Sequence, residues 1–397
     1  MIVTVDQRLF QQGLPAIVLC LQFVFAASPR EHVLLTDPMW DAEDEAHPVR
    51  VWLDALSPEV QEAVQNELER SLDKAATMTA HAAKLRVEPI AESRWEAGVL
   101  TPEDALRAMY TPLWLALENG RNDLEFLRRI LERRDRAELD RYIAEGLVEI
   151  PLGGGTGELA AFLERLKEPE GTTSWIRRLR SWAMFDRDAH SSDPRQPSTT
   201  SEKLRGHVAS MQRPWPFPGH QLGRRTIENY LPFEALDAWA EGGKASDRTR
   251  RRQQVEAFKS SDFGSVRRAC FNMKVGFEKD VAQEVRDELS QRRKAQYKPK
   301  RQPRQLLPRN PPTSHRGIAR PAVRWLKETE LPAVFQGMRN EAFRNRLNRG
   351  FGTAIATLFR EDSDSKIDDV WFHRVFDGDP AAQAWRKRLV ESLWSVL

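Results

Sequence analysis

The stretch "LWLALENGRNDLEFLRRIL", residues 113–131, joins a five-residue apolar run to an acid, a short polar turn and a helical pattern. A short, all-apolar run fits a strand buried on both faces. Leu124, Leu127, Ile130 and Leu131 then recur at helical spacing, with Arg128, Arg129, Arg133 and Arg134 on the other side. The strand–turn–helix reading leaves Glu118 at the carboxyl end of the strand.

The alternation continues to about residue 235. "LVEIPL" reads as a second strand, "GGGTG" as a turn, "ELAAFLERLKE" as an amphipathic helix and "SWAMFD" as a third strand. Repeats of this length predict βαβ crossovers and an α/β, Rossmann-like parallel sheet flanked by helices over residues 111–235. Residues 1–110 are expected to form their own α+β module. Its run "LPAIVLCLQFVFAA" is too short to span a bilayer and carries Gln22, so it reads as a buried strand or core helix. Ser57 and Pro58 open a helix there. Residues 236–397 are expected to be mainly helical. Within them, 292–309 holds eight basic residues, no acid and three prolines.

Composition narrows the class. The chain has 397 residues, 40% of them hydrophobic and 30% charged, enough for a sizeable core. A net charge of +3, from 61 basic and 58 acidic residues, excludes a uniformly basic protein but allows a local basic face. Two cysteines are too few for a disulfide framework or a Cys-rich zinc site, and a cytoplasmic location with no membrane partner is expected.

In an open parallel sheet the strand carboxyl ends share one edge, where ligands bind. Glu118 ends the first strand of this segment, and Asp186 and Asp188 follow the third in "WAMFDRDAHSSDP". Alone, each acid reads as an ordinary solvated or capping residue. Brought together they would repel one another unless a cation sat between them, and hard oxygen ligands suit Mg²⁺ or Mn²⁺. "LGGGTG" lacks both the Lys–Ser/Thr of a P-loop and the glycine spacing of a dinucleotide fingerprint. Its glycines allow a tight turn or a close approach of backbone to nucleic acid. His190, His207 and His220 show no metal spacing, and Trp215 reads as core, with base stacking as the alternative.

An apolar strand ending in Glu, a small-residue turn, an Asp opening a helix and a later strand ending in Asp-x-Asp together resemble the Toprim motif. "RRTIENYLP" (224–232) and "FNMKVGF" (271–277) resemble segments of the overcoming-lysogenization-defect (OLD) nuclease branch. The likeness covers about 111–280. The Glu118-to-Asp123 spacing is one residue longer than in the family, and Asn119 stands where the family has Gly. Either Asp123 or Asn122 therefore takes the family's Asp position.

The resemblance implies a Toprim fold and an Mg²⁺- or Mn²⁺-dependent endonuclease. Glu118, Asp186 and Asp188 would be metal ligands, with Asp123 and Glu228 as further catalytic acids; Glu228 reads equally as a structural partner of Arg224 or Arg225. Arg224, Arg225, Lys274, Arg292, Arg293 and Lys294 would contact nucleic acid, DNA ahead of RNA. No Walker A sequence is present. The resemblance thus implies a separate ATPase subunit, as in anti-phage defence systems, and is compatible with a homo-oligomer. No tyrosine stands where a topoisomerase needs its nucleophile. The competing expectation is a catalytically silent Toprim subunit that binds nucleic acid or a protein; a toxin acting on RNA is a third.

Overall fold

The computed structural model describes all residues except 11–13, 31, 42, 78–81, 152, 190–192, 243, 283–284, 288–325 and 361–366. The basic segment 292–309, with Arg292, Arg293 and Lys294, lies outside the described residues, as does His190. Two four-stranded sheets, each wholly parallel, organise the chain.

The first sheet has the order β2-β1-β3-β4, built from β1 (Ile2–Asp6), β2 (Val33–Asp37), β3 (Lys84–Val87) and β4 (Val99–Leu100). The N-terminal region is therefore parallel α/β, which corrects the expected α+β module. Parallel neighbours need a crossover, and the apolar run supplies it as the helix Leu14–Ala27 between β1 and β2. The helix Pro58–Thr77 packs on β2, where Ser71 Oγ accepts the Leu34 N–H at 3.0 Å. Val3, Val5, Phe23, Leu68 and Val87 form its core, which also takes in Ile176, Leu179 and Trp215 from the region of the second sheet. Trp215 thus packs in the interior, against Trp175.

The second sheet has the order β6-β5-β7-β8: β5 (Leu113–Leu117), β6 (Val148–Glu149), β7 (Ser181–Phe185) and β8 (Gly219–Gln221). Of the described residues of "LVEIPL" only Val148 and Glu149 pair in the ladder with β5, and Pro151 has no N–H to extend it. Leu113, Leu115, Leu117, Trp182 and Met184 face one apolar cluster, while Ala116, Ala183 and Phe185 face another, built by the helices Thr156–Lys167 and Thr199–Ser210. Burial on both faces explains the uninterrupted apolar runs. Each of the three leucines of β5 is fully enclosed and contributes on the order of 2 kcal/mol.

The expected boundary at residue 235 separates no cores. One apolar cluster runs from Leu113 to Leu397 and includes Phe263, Phe271, Phe277 and Phe335. The helix Pro380–Val396 lies against the sheet; Trp182 Nε1 donates to Ser392 Oγ at 2.9 Å, and Trp385 Nε1 donates to the Gln221 carbonyl at 2.9 Å. Arg129, expected on the polar face of its helix, turns inward and donates to the Phe359 and Ile367 carbonyls. Among the described residues no helix is long and apolar enough to cross a membrane.

Candidate active site

β5 pairs on one side with β6 and on the other with β7, so the crevice of this sheet opens beyond β5 and β7. Leu117 is in register with Met184, which brings the residues after the two strands out side by side. A cleft of about 190 Å³ lies there, lined by Glu118, Asn119, Asn122, Asp123, Gly153, Gly155, Asp186, Ile227, Glu228 and Lys274.

Glu118 is held at three atoms. Its carbonyl accepts the Gly155 N–H at 3.0 Å, Oε1 accepts the Thr156 hydroxyl at 2.5 Å, and Oε2 accepts the Asp186 N–H at 3.4 Å. Thr156 was not legible as a site residue; its place directly after three glycines was the one available signal. Asn119 caps the helix Gly120–Ile130, and Asp123 reaches back so that its Oδ2 accepts the Asn119 N–H at 2.7 Å. Asp123 is thereby buried in the cleft, whereas the Asn122 side-chain oxygen accepts Arg360 at 3.0 Å.

Asp186 lines the cleft and its carbonyl accepts the Ser201 hydroxyl at 2.7 Å. Asp188 does not line it. Its backbone is left-handed, at φ 50°, and its N–H donates to the Arg225 carbonyl at 2.7 Å. Its charge still acts on Glu118.

The "RRTIENYLP" segment enters as a 3-10 turn, Ile227–Tyr230, that delivers Glu228 to the cleft. Its arginines face inward, which corrects their expected role on nucleic acid. Arg225 is 1% exposed and makes a two-pronged ion pair with Asp280, at 2.7 and 2.9 Å. Arg224 donates to the Asn229 and Val375 carbonyls and lies over the Tyr230 ring. Both anchor the turn, Arg225 through its two terminal nitrogens while its Nε is left without a partner. Asn229 ties the same turn to the Arg268 and Phe271 carbonyls.

Lys274 stands in the cleft, with Nζ 3.0 Å from Glu228 Oε1. Its loop is set by backbone contact: Phe351 and Gly352 donate to the Met273 and Lys274 carbonyls, and a Cβ on Gly350 would collide with that loop. Glu228 is 1% exposed, and its Oε2 has no hydrogen-bonding partner. In the "RTRRR" run, Arg251 packs on Trp239 and Arg252 pairs with Glu241.

Burial and mutual repulsion dominate the electrostatics. Burial raises the Glu118 pKa; the Asp188 charge adds to this, and the Thr156 hydroxyl opposes it. Burial pushes Asp123 up to about 7, with Glu118 and Glu228 reinforcing it. Asp186 is held well above the usual carboxylate range by burial and then by Glu118, Glu228 and Asp123. Burial works to lower the Lys274 pKa, but the Glu228, Asp186 and Glu118 carboxylates outweigh it and raise the pKa overall. Four carboxylates against one ammonium leave the cleft short of positive charge.

The oxygen-only donor set and the orphaned Glu228 Oε2 suit a hard cation. Among the described residues no group of three or more His, Cys, Asp or Glu side chains is placed to hold a metal ion, so a cation here would need these carboxylates to move closer together. Comparison with protein-family models, with curated proteins and with solved structures finds no match for this chain.

Proposed function

We propose that this chain is a metal-dependent phosphodiesterase that cleaves nucleic acid in the cleft beyond β5 and β7. The observation that carries the reading is the gathering of Glu118, Asp123, Asp186 and Glu228 around one cleft, where burial and neighbouring carboxylates raise the proton affinity of Glu118, Asp123 and Asp186. Enclosing four acids with one lysine is costly unless a cation completes the site. Glu118 and Asp186 would hold Mg²⁺ or Mn²⁺, with Glu228 or Asp123 completing the set. The bound ion would supply polarisation of the scissile phosphate, a hydroxide near neutral pH and charge for the leaving oxygen. Thr156 orients Glu118, and Lys274 balances charge beside Glu228. The Toprim family, the preference for DNA and the separate ATPase partner rest on the motif resemblance.

A silent, binding-only subunit is the second reading. The Lys274–Glu228 ion pair favours it, because an internal cation already serves one of the acids. The two readings separate on incubating plasmid, linear DNA and tRNA with Mn²⁺ or Mg²⁺, with and without a neighbouring ATPase. Cleavage that vanishes in Glu118→Gln supports the phosphodiesterase, and metal binding without cleavage of any substrate would overturn it.

A further inference from the structure

The glycine turn beside the cleft does more than connect β6 to a helix. Gly153 and Gly155 line the cleft, and the helix Thr156–Lys167 begins directly after them. A Glu at the third position of a helix ordinarily reaches back to the amide of the cap residue. Here the cap amide, on Gly155, is taken by the Glu118 carbonyl. Glu158 instead reaches further out, where its Oε2 accepts the Gly154 N–H at 2.6 Å and the Gly153 N–H at 3.4 Å. An exposed carboxylate thus fills an amide cradle at a helix N-terminus, a setting that also suits phosphate oxygens. The buried and unpartnered Oε2 of Glu228 lines the same cleft and points to a ligand not made of protein, a cation that would bridge it to a phosphate held at the glycine turn.

We propose that the glycine turn 153–155 is a phosphate cradle, filled by the chain's own Glu158 until a backbone phosphate of the nucleic acid displaces it. The proposal rests on the phosphodiesterase reading, and it adds the group that would hold the substrate. Two amides would take phosphate oxygens on one side of the cleft, with the carboxylates and their cation on the other. Glu158 would keep that surface from binding stray anions, because an incoming phosphate must first displace it. Gly154 is the sensitive position. Its φ is not in the left-handed range, so alanine can adopt its backbone, but an added Cβ would fall on the oxygen that occupies the cradle.

The test is isothermal titration of inorganic phosphate into the full chain, with Mg²⁺ in the buffer, for wild type, Glu158→Gln and Gly154→Ala. Removing the competing charge should tighten phosphate binding about fivefold in Glu158→Gln, the scale of an anion's interaction with a helix N-terminus. Gly154→Ala should weaken binding, and adding it to Glu158→Gln should cancel the gain. Equal affinity in wild type and Glu158→Gln would overturn the cradle, whether or not the protein cleaves nucleic acid. That arm decides alone if Gly154→Ala fails to fold, because Glu158 is exposed. The expected phosphate pattern without cleavage of any nucleic acid would leave the cradle standing and overturn only the phosphodiesterase reading.

Discussion

Asp123 Oδ2 accepts the backbone N–H of Asn119 at 2.7 Å, so a carboxylate five residues after Glu118 folds back under the start of its own helix and into the cleft with Glu118. Asn119 caps that helix, its side-chain oxygen accepting the Asn122 N–H.

Asp123 makes stability depend on pH. Its carboxyl titrates at about 7 in the folded protein against 3.8 unfolded, so the folded state keeps a proton that the unfolded chain releases. The contribution is greatest below the unfolded value and is lost as pH rises towards 7. Asp123→Asn keeps an acceptor for Asn119 without the charge, and should stabilise the metal-free protein at pH 7.5 by on the order of 1–3 kcal/mol, with little effect near pH 4. Urea unfolding at the two pH values checks this; an equal effect at both would show that the carboxyl is not pushed up.

Glu118→Gln should abolish metal-dependent cleavage and leave folding and nucleic-acid binding intact. The amide keeps one acceptor for Thr156 or the Asp186 N–H but removes the charge a cation needs. Cleavage and gel-shift assays on the same preparation read both properties. Full activity in the variant would remove Glu118 from the site.

Thr156→Val should act through Glu118. The hydroxyl lowers the carboxyl's proton affinity, so its loss should move the acidic limb of the pH–activity profile upward by about half a unit to one unit. Thr156→Ser should restore the profile. A uniform fall in rate with an unmoved limb would indicate a packing role only.

Arg225→Ala should destabilise the protein by about 3–5 kcal/mol, because it leaves the buried Asp280 carboxylate unpaired. Replacing both residues with apolar side chains of similar volume should recover much of that loss. Denaturant midpoints test the pair. The salt dependence of nucleic-acid binding should not change in Arg225→Lys, since the side chain is enclosed; a flatter salt slope would return Arg225 to the interface.

The sequence by itself determined the parallel α/β character of residues 111–235 and the strand-end positions of Glu118 and Asp186. Removing apolar surface from water is a local demand: it writes unbroken runs into strands covered on both faces and a 3.6-residue stripe into helices, and both were readable. The same signal was ambiguous for "LPAIVLCLQFVFAA", whose helix is settled by the crossover between β1 and β2. Tertiary structure alone decided which way the charged groups turn. Arg225 and Asp280 lie 55 residues apart, and nothing near either one signals that packing will bury both together. Asp123 joins the acids by turning back to the Asn119 N–H, while Arg360, from the far end of the chain, holds the Asn122 side chain at the cleft wall. Glu228 and Lys274 meet in the cleft through the inward anchoring of Arg224 and Arg225 and the close approach of backbone at Gly350. Such pairings depend on distances set by the completed core, and a single chain's local pattern does not contain them.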